Sequence, residues 1–260
     1  MEYRNYNQIS NIINILPKNN VQERFERKDK IISLFFPRRC PFCDDVTKYG
    51  SMVHDWCLEK IEYANMQSVC FKCGKPIDDD KEQYCVTCQR IKHYFDKGFA
   101  LYKYRSAQDA IYRFKYQGRQ EYADFFAKDI EVNLGDYIRN LDIDYLVPVP
   151  MFPSKKIKRG YNQAEVLAHA IGRRMNIPVK EDIVYRTINT VPMKELSEFE
   201  RRNNLKKAFN IGTNVVKLKK IIIIDDIYTT GSTMDNVALQ LRKAGASHIF
   251  ALSLAIGQGM

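Results

Sequence analysis

Apolar positions keep two rhythms along the second half of this chain, and the rhythms alternate. Short apolar runs bounded by turn residues read as strands at Phe99 to Tyr104, Asp142 to Val149, Ile183 to Arg186, 219–225 and His248 to Ala255. Between them apolar residues recur at helical spacing. Ala107 to Phe114 carries Ala110, Ile111 and Phe114 on one face, and Glu121 to Glu131 carries Tyr122, Phe125, Phe126 and Ile130. Further helices read from Asn162 to Met175, from Ser197 to Lys207 and over 231–244. Ser197, with Glu200 three residues on, makes a capping-box start. Pro148 and Pro150 close the second strand, since proline cannot sit in its centre. Strand and helix in turn predict an α/β fold, a mainly parallel sheet flanked by helices on both faces.

The most apolar of these strands leads into the most informative loop. Ile221 to Ile224 form a run that a parallel sheet buries on both faces. Asp225 and Asp226 follow at its carboxyl end, then Thr229, Thr230, Gly231, Ser232 and Thr233, then a helix. Such a turn aims backbone N–H groups and small hydroxyls at one spot, at the positive end of a helix. That spot cradles phosphate. Paired carboxylates beside it suit vicinal hydroxyls, and Mg²⁺ held through water. Phosphate, diol and metal within one turn describe a ribose 5-phosphate site. The plainer reading, a strand end with Asp at the turn and Thr as helix N-cap, does not need both acids and all four hydroxyls. Open parallel sheets take ligands at the carboxyl ends of their strands, so 150–159 is expected to form the opposite wall. Tyr161 and Asn162 read as a core aromatic and a helix N-cap.

The first half of the chain speaks through cysteine. All seven lie within residues 40–88, as C-P-F-C (Cys40, Cys43), H-D-W-C (His54, Cys57), C-F-K-C (Cys70, Cys73) and C-V-T-C (Cys85, Cys88). Four knuckles with two residues between ligands supply the eight ligands that two tetrahedral Zn²⁺ ions need. Disulfides fail on the odd count and on the spacing. The simplest pairing is sequential, with Cys40, Cys43, His54 and Cys57 on one ion and Cys70, Cys73, Cys85 and Cys88 on the other. An interleaved cross-brace would use the same residues. Both sites would be closed and therefore structural. Metal is expected to supply most of the module's folding free energy, on the order of 10 kcal/mol per site. Chelation is expected to unfold 40–88 and leave the C-terminal half standing. Phe42, Trp56 and Phe71 suit either base stacking or a small core; the core is the favoured role for Trp56.

Charge adds a direction. The chain of 260 residues carries a net charge of +10, and residues 151–220 alone balance to +10, with sixteen Lys or Arg against six Asp or Glu. Lys155, Lys156, Lys158 and Arg159, then Arg201, Arg202, Lys206 and Lys207, are expected to border the phosphate site. A positive field there draws phosphate-rich partners, a sugar pyrophosphate or a nucleic-acid backbone. No apolar stretch approaches the roughly 20 residues of a membrane span. The start, M-E-Y-R-N-Y, is unlike a signal peptide, and thiolate ligands suit a reducing compartment, so a cytoplasmic protein is expected. No Ser–His–Asp or Cys–His pattern for a nucleophilic hydrolase is visible.

The strand, paired acids and TTGST resemble the fingerprint of type I phosphoribosyltransferases. Four further segments carry a wider likeness: Lys115-Tyr116-Gln117-Gly118-Arg119, Val147-Pro148-Val149-Pro150, Arg159-Gly160-Tyr161-Asn162-Gln163 and Arg201-Arg202-Asn203-Asn204-Leu205. With the cysteine module, they make the chain from about Phe36 to Ala255 similar to the ComF family of bacterial competence-associated proteins. It departs from that pattern at His54, where many relatives carry cysteine, and over residues 1–35. The resemblance implies an N-terminal extension over 1–35, a double zinc-ribbon-like module over 36–95 and a phosphoribosyltransferase-like domain over 96–260.

Roles for individual residues follow from the same resemblance. Asp225 and Asp226 would meet the ribose hydroxyls of phosphoribosyl pyrophosphate, and Thr229 to Thr233 would hold its 5-phosphate. Lys156 and Arg159 would face the pyrophosphate, together with Mg²⁺. Residues 191–202 would form a lid, with Arg201 or Arg202 lending a catalytic charge. The reaction implied is ribosyl transfer from C1, with the growing charge on pyrophosphate neutralised by Mg²⁺ and cationic side chains. Two functions stay open. One is a competence factor in natural transformation that binds phosphoribosyl pyrophosphate and single-stranded DNA. It would work with the competence ATPase/helicase of the DNA-uptake machinery, at the inner face of the membrane. The other is an active phosphoribosyltransferase on an unidentified acceptor base or amine.

Overall fold

The computed structural model describes residues 36–79, 81–187, 208–212 and 220–257. The helix expected over Ser197 to Lys207, the lid with Arg201 and Arg202, and the extension 1–35 lie outside the described residues. Strands in chain order are β1 (Lys97–Lys103), β2 (Tyr145–Pro148), β3 (Val184–Arg186), β4 (Phe209–Ile211), β5 (Lys220–Tyr228) and β6 (His248–Ile256). Helices are α1 (Asp55–Leu58), α2 (Val86–Arg90), α3 (Tyr104–Tyr116), α4 (Tyr122–Leu141), α5 (Pro153–Arg159), α6 (Gln163–Met175) and α7 (Ser232–Lys243).

Strands β1, β6, β5 and β2 lie in that order in one sheet, and every pairing is parallel. Val147 lies opposite Ile223, Ile223 opposite Ala251, and Ala100 opposite Ser253. The expected α/β fold is therefore present. Ile221, Ile222, Ile223 and Ile224 of β5 are each 0% exposed, as a central strand covered on both faces requires. Ile222 and Ile224 pack with Leu252 and Leu254 against α3, α4 and α6. Ile221 and Ile223 pack with Ile249 and Ala251 against Val237 and Leu241 of α7.

Several elements differ from their sequence outlines, among them β5, which runs on past the expected end at Asp225 to Tyr228. Helix α4 runs on to Leu141 and stops where Asp142 takes a left-handed backbone, φ 54°, so the next strand starts only at Tyr145. The strand expected at Ile183 to Arg186 leaves the main sheet, and β3 pairs antiparallel with β4.

The cysteine module is built as a repeat. In each first knuckle the chain turns so that Cys40 N–H donates to Asp45 O and Cys70 N–H to Lys75 O, and short bridges Arg39 to Val46 and Val69 to Pro76 close the turns. The residue after each second cysteine, Asp44 (φ 62°) or Gly74 (φ 74°), is left-handed. Only the second demands glycine for space as well. A Cβ on Gly74 would come 2.7 Å from Gly98 O, because β1 passes directly over the knuckle.

Ligand atoms of Cys40, Cys43, His54 and Cys57 gather within 4.8 Å of one another, as do those of Cys70, Cys73, Cys85 and Cys88. The pairing is thus sequential, and the two clusters fit two structural Zn²⁺ ions. His54 has the right tautomer for a ligand. Its Nε2 lies 3.1 Å from Val46 O, which can only accept, so the proton is on Nε2 and the Nδ1 lone pair faces Cys43 Sγ at 3.3 Å. Burial works against a Cys40 thiolate, yet backbone N–H groups of His54, Cys43 and Phe42 bring its pKa down to about 7.

Trp56 corrects the sequence reading. It is 55% exposed and stacks flat on the His54 ring at 4.2 Å instead of filling a core. In the short helix α1 it is the neighbouring Cys57 that turns inward. Phe42 takes the core role, edge-on to Tyr102 and Phe125 at 6.0 and 5.7 Å.

The module is not a separate body. Asp44 accepts from Tyr122 Oη at 2.5 Å and from Arg119 at 3.1 Å, which holds its carboxyl below the usual range against the effect of burial. Buried Asp129 of α4 accepts from Tyr102 Oη at 2.5 Å and from Tyr63 Oη at 3.1 Å. Cys70 and Cys73 share one core cluster with Phe95, Ala100, Tyr228 and Met234. Metal loss should therefore reach further than residues 40–88. We expect about two Zn²⁺ per purified chain. Cys88→Ser should lower the count by one and the Tm of the whole chain in a single transition. Hydrogen exchange that accelerates in 40–88 while β1 and β5 keep full protection would show the coupling to be wrong.

Candidate functional site

Strand alternation sets the site. Side chains along a strand point to opposite faces in turn, so Asp225 shares the face of Ile221 and Ile223, and Asp226 that of Ile222 and Ile224. Neighbour β2 stops at Pro148, opposite Ile224, so the acids stand just beyond the paired edge while β5 runs on beside β6 to Tyr228. Each acid then meets the cation its face provides. Asp226 is buried, and its Oδ1 lies 2.9 Å from Lys115 Nζ at the end of α3. Its Oδ2 is buried without a hydrogen-bond partner among the described residues.

Asp225 accepts a 2.9 Å hydrogen bond from the Asp226 N–H. Burial first, and the Asp226 charge second, push its carboxyl up to about 7, against the pull of Lys115 and Arg186. Burial disfavours the Lys115 charge, but Asp226 and Asp225 outweigh it and hold the ammonium above its ordinary range. Arg186 of β3 lies over the Phe209 ring at 5.5 Å, its pKa lowered by burial and partly restored by Asp225.

The loop after β5 turns back at Gly231. Its φ of 76° favours glycine, and a Cβ there would fall 2.3 Å from the Tyr228 hydroxyl. Thr230 Oγ1 and Ser232 Oγ lie 2.8 Å apart. The N-cap Gly231 offers no side chain to the start of α7, and Thr230 Oγ1 accepts a long, 3.5 Å bond from the Ser232 N–H. A shallow pocket is lined by Asp225, Ile227, Tyr228, Thr229, Thr230, Gly231, Ser232, Thr233 and Met234. The loop residues named from sequence thus line one concavity with Asp225, at a helix N-terminus. Asp225 and Asp226 supply oxygen donors of the kind a hard cation takes, one of them unpartnered, but strand alternation turns the two carboxylates to opposite faces.

The wall beyond β2 is α5. Asn162 caps α6 by accepting from Ala164 N–H at 3.1 Å and donates to Val149 O at 3.0 Å, while buried Tyr161 donates to Phe114 O. Both plain roles expected of these residues are present, and together they tie 149–162 to the strand end and to α3. The named cations separate here. Lys156 pairs with Glu165 at 2.6 Å, and Arg159 bonds Gln163 and covers the Tyr116 ring at 4.8 Å. Lys155 is the residue of α5 that shares a field with Arg186, its pKa lowered by burial, then by Arg186 and Arg159. Arg201 lies outside the described residues.

Sequence reasoning assigned no role to Lys115 or Arg186, and placed Lys155 only among the cations bordering the phosphate site. A signal existed for the first: a helix on the Ile222 and Ile224 face, ending in lysine, must approach the acid of the same parity. Nothing comparable announced Arg186, because β3 pairs outside the main sheet.

The raised pKa of Asp225 has a stability consequence with a definite sign. An unfolded aspartate titrates near 3.9 and the folded one about 7, so the unfolded chain sheds this proton first. Stability from this group is thus lost as pH rises through that window, and the cost is complete above it. Asp225→Asn should raise Tm at pH 8 and leave it nearly unchanged at pH 4. Equal gains at both values would deny the shift.

Residues 31–89 match the double zinc ribbon domain family. Competence protein F of Haemophilus influenzae is 30% identical over 192 residues, 72% of this chain and 83% of that protein. DNA utilization protein YhgH of Escherichia coli K12 is 29% identical over 54% of this chain and 62% of its own length. Among solved structures, a purine phosphoribosyltransferase from Pyrococcus horikoshii is 20% identical and covers 51% of this chain and 74% of its own, at a TM-score of 0.32. That likeness is too faint to add to the strand order itself. A relative matched along most of its length, together with the double ribbon, shows that the chain belongs to the competence protein F (ComF) family.

Proposed function

We propose that this protein serves natural transformation by binding phosphoribosyl pyrophosphate with Mg²⁺ at the β5–α7 turn and single-stranded DNA along the adjoining cations. The observation that carries the reading is the turn itself. Asp225 lines one pocket with the small hydroxyl loop, and buried Asp226 beside it keeps an unpartnered oxygen. Such an oxygen is costly to leave unpaired, and a ribose hydroxyl or a metal-bound water would satisfy it. The 5-phosphate would sit on the loop at the start of α7. Pyrophosphate would face Arg186, Lys155 and Arg159, with Lys156 further out beside Glu165. The names of the relatives, a competence protein and a DNA utilization protein, support the biological setting. Work with an uptake ATPase at the inner membrane face, from the cytoplasm, belongs to the same reading. Among the described residues no helix is long and apolar enough to cross a membrane.

A second reading is a working phosphoribosyltransferase. The observation in its favour is the cation group on the side where leaving pyrophosphate would gain charge. Pyrophosphate release in the presence of candidate bases or amines tests it.

The sugar-phosphate site is tested by calorimetry. Asp225→Asn with Asp226→Asn should abolish Mg²⁺-dependent binding of phosphoribosyl pyrophosphate in a protein that stays folded. Binding that survives both changes sinks the assignment.

DNA binding is tested by salt. If the α5 cations hold the backbone, log affinity should drop about 0.7 per phosphate contact for each decade of salt. Lys155→Glu with Lys158→Glu should weaken all sequences alike and flatten that slope. A flat slope in the unaltered protein, with no retention near physiological ionic strength, would remove DNA from the reading.

A further inference from the structure

Helix α3 buries Ala107, Ala110, Ile111 and Phe114 against the sheet, and its other face carries two largely exposed rings. Tyr112 and Tyr116, one turn apart, are 56% and 61% exposed. Their ring centroids are 5.2 Å apart with a 47° tilt. Single exposed aromatics are ordinary on protein surfaces, but this pair has three further properties. Arg159 lies over the Tyr116 ring at 4.8 Å. The residue beside Tyr116 in sequence is Lys115, which reaches Asp226 at 2.9 Å. Arg159 itself ends α5, which carries four cations in seven residues and no acid.

We propose that Tyr112 and Tyr116, with Arg159 over the latter, form a stacking platform for bases of single-stranded DNA whose phosphates follow α5. The inference rests on the DNA-binding reading above and names the surface that reading lacks. Rings and a guanidinium plane accept any base, because every base has a π-face, and neighbouring cations track the backbone. Duplex DNA is excluded by the same chemistry, since its bases are already stacked and paired. An acidic peptide would use the cations but gain little from two tilted rings. Because Lys115 links the end of α3 to the acids, a base on Tyr116 would lie beside the sugar-phosphate pocket.

The test uses zinc-loaded full-length protein and fluorescence anisotropy near physiological salt. Three probes share one length, roughly 20 nucleotides: an oligothymidylate, an abasic strand and a duplex. Oligothymidylate should bind best. Tyr112→Ala with Tyr116→Ala should weaken it at least fivefold, to the level of the abasic strand, without changing the salt slope. Tyr112→Phe with Tyr116→Phe should retain binding, since the ring and not the hydroxyl stacks. Tyr112→Ala alone should weaken DNA binding and leave affinity for phosphoribosyl pyrophosphate unchanged. If unaltered protein binds oligothymidylate and the abasic strand equally, or the alanine pair changes nothing, the platform is overturned while DNA binding stands. If unaltered protein retains neither strand, the DNA reading falls and takes the platform with it. A phenylalanine pair as weak as the alanine pair would overturn stacking in favour of hydroxyl contacts.

Discussion

The structure depends on one constraint, the period-two alternation of a strand buried on both sides. Four consecutive isoleucines fix which face each position of β5 takes, and a slip of one residue would turn every one of them over. Asp225 and Asp226 inherit their directions from that register. Asp226 must then point toward α3, and a buried carboxylate there is tolerable only with a cation, which Lys115 provides. Asp225 points to the other face, toward Arg186, and gains less, so its carboxyl is held near neutral pH by burial and by its neighbour. Two adjacent acids of identical chemistry thus meet different surroundings, because strand alternation turns them to opposite faces.

Metal clusters extend this same core. A module of this size has too few apolar side chains to fold alone, and the structure spends them at its borders. Phe42 enters the aromatic group of α4 and β1, and buried Cys70 and Cys73 pack under β1 with Phe95 and Tyr228. Tyr228 is the link to the loop. Its hydroxyl lies where Gly231 would carry a Cβ, and its pKa is raised by burial and by the thiolate charge of Cys73 and Cys88. The ring therefore has the second metal cluster on one side and the small-residue turn on the other.

Most of the architecture was legible because strand and helix periods are long-range averages that survive local noise. The β5 register, the loop, the eight metal ligands, the Asn162 cap and the buried Tyr161 could all be named from spacing and residue type. What could not be read were partners set by tertiary contact. Trp56 looked like core material by size, yet its neighbour Cys57 claims the inward direction on a four-residue helix. Lys156 and Lys155 are equivalent in sequence; only the rotation of α5 sends one to Glu165 and the other toward Arg186. Arg186 itself was hidden because its strand pairs with residues more than twenty positions further along the chain.

The charges around the pocket also explain why the basic stretch and the acid pair do not simply cancel. Among the described residues Lys115 is the one cation in salt-bridge contact with the pair, and it meets only one oxygen of Asp226. Lys155 instead shares its field with Arg186 and Arg159, and burial and mutual repulsion lower its pKa. Like charges gathered at partly buried positions are unfavourable in a protein alone and favourable once a polyanion lies between them. The strand end therefore carries two demands: in the proposed reading its acids offer acceptors to hydroxyls or a hydrated cation, and the cations around it face phosphate. A small ligand that has a diol at one end and a pyrophosphate at the other satisfies both demands at once, and a nucleic-acid strand satisfies only the second.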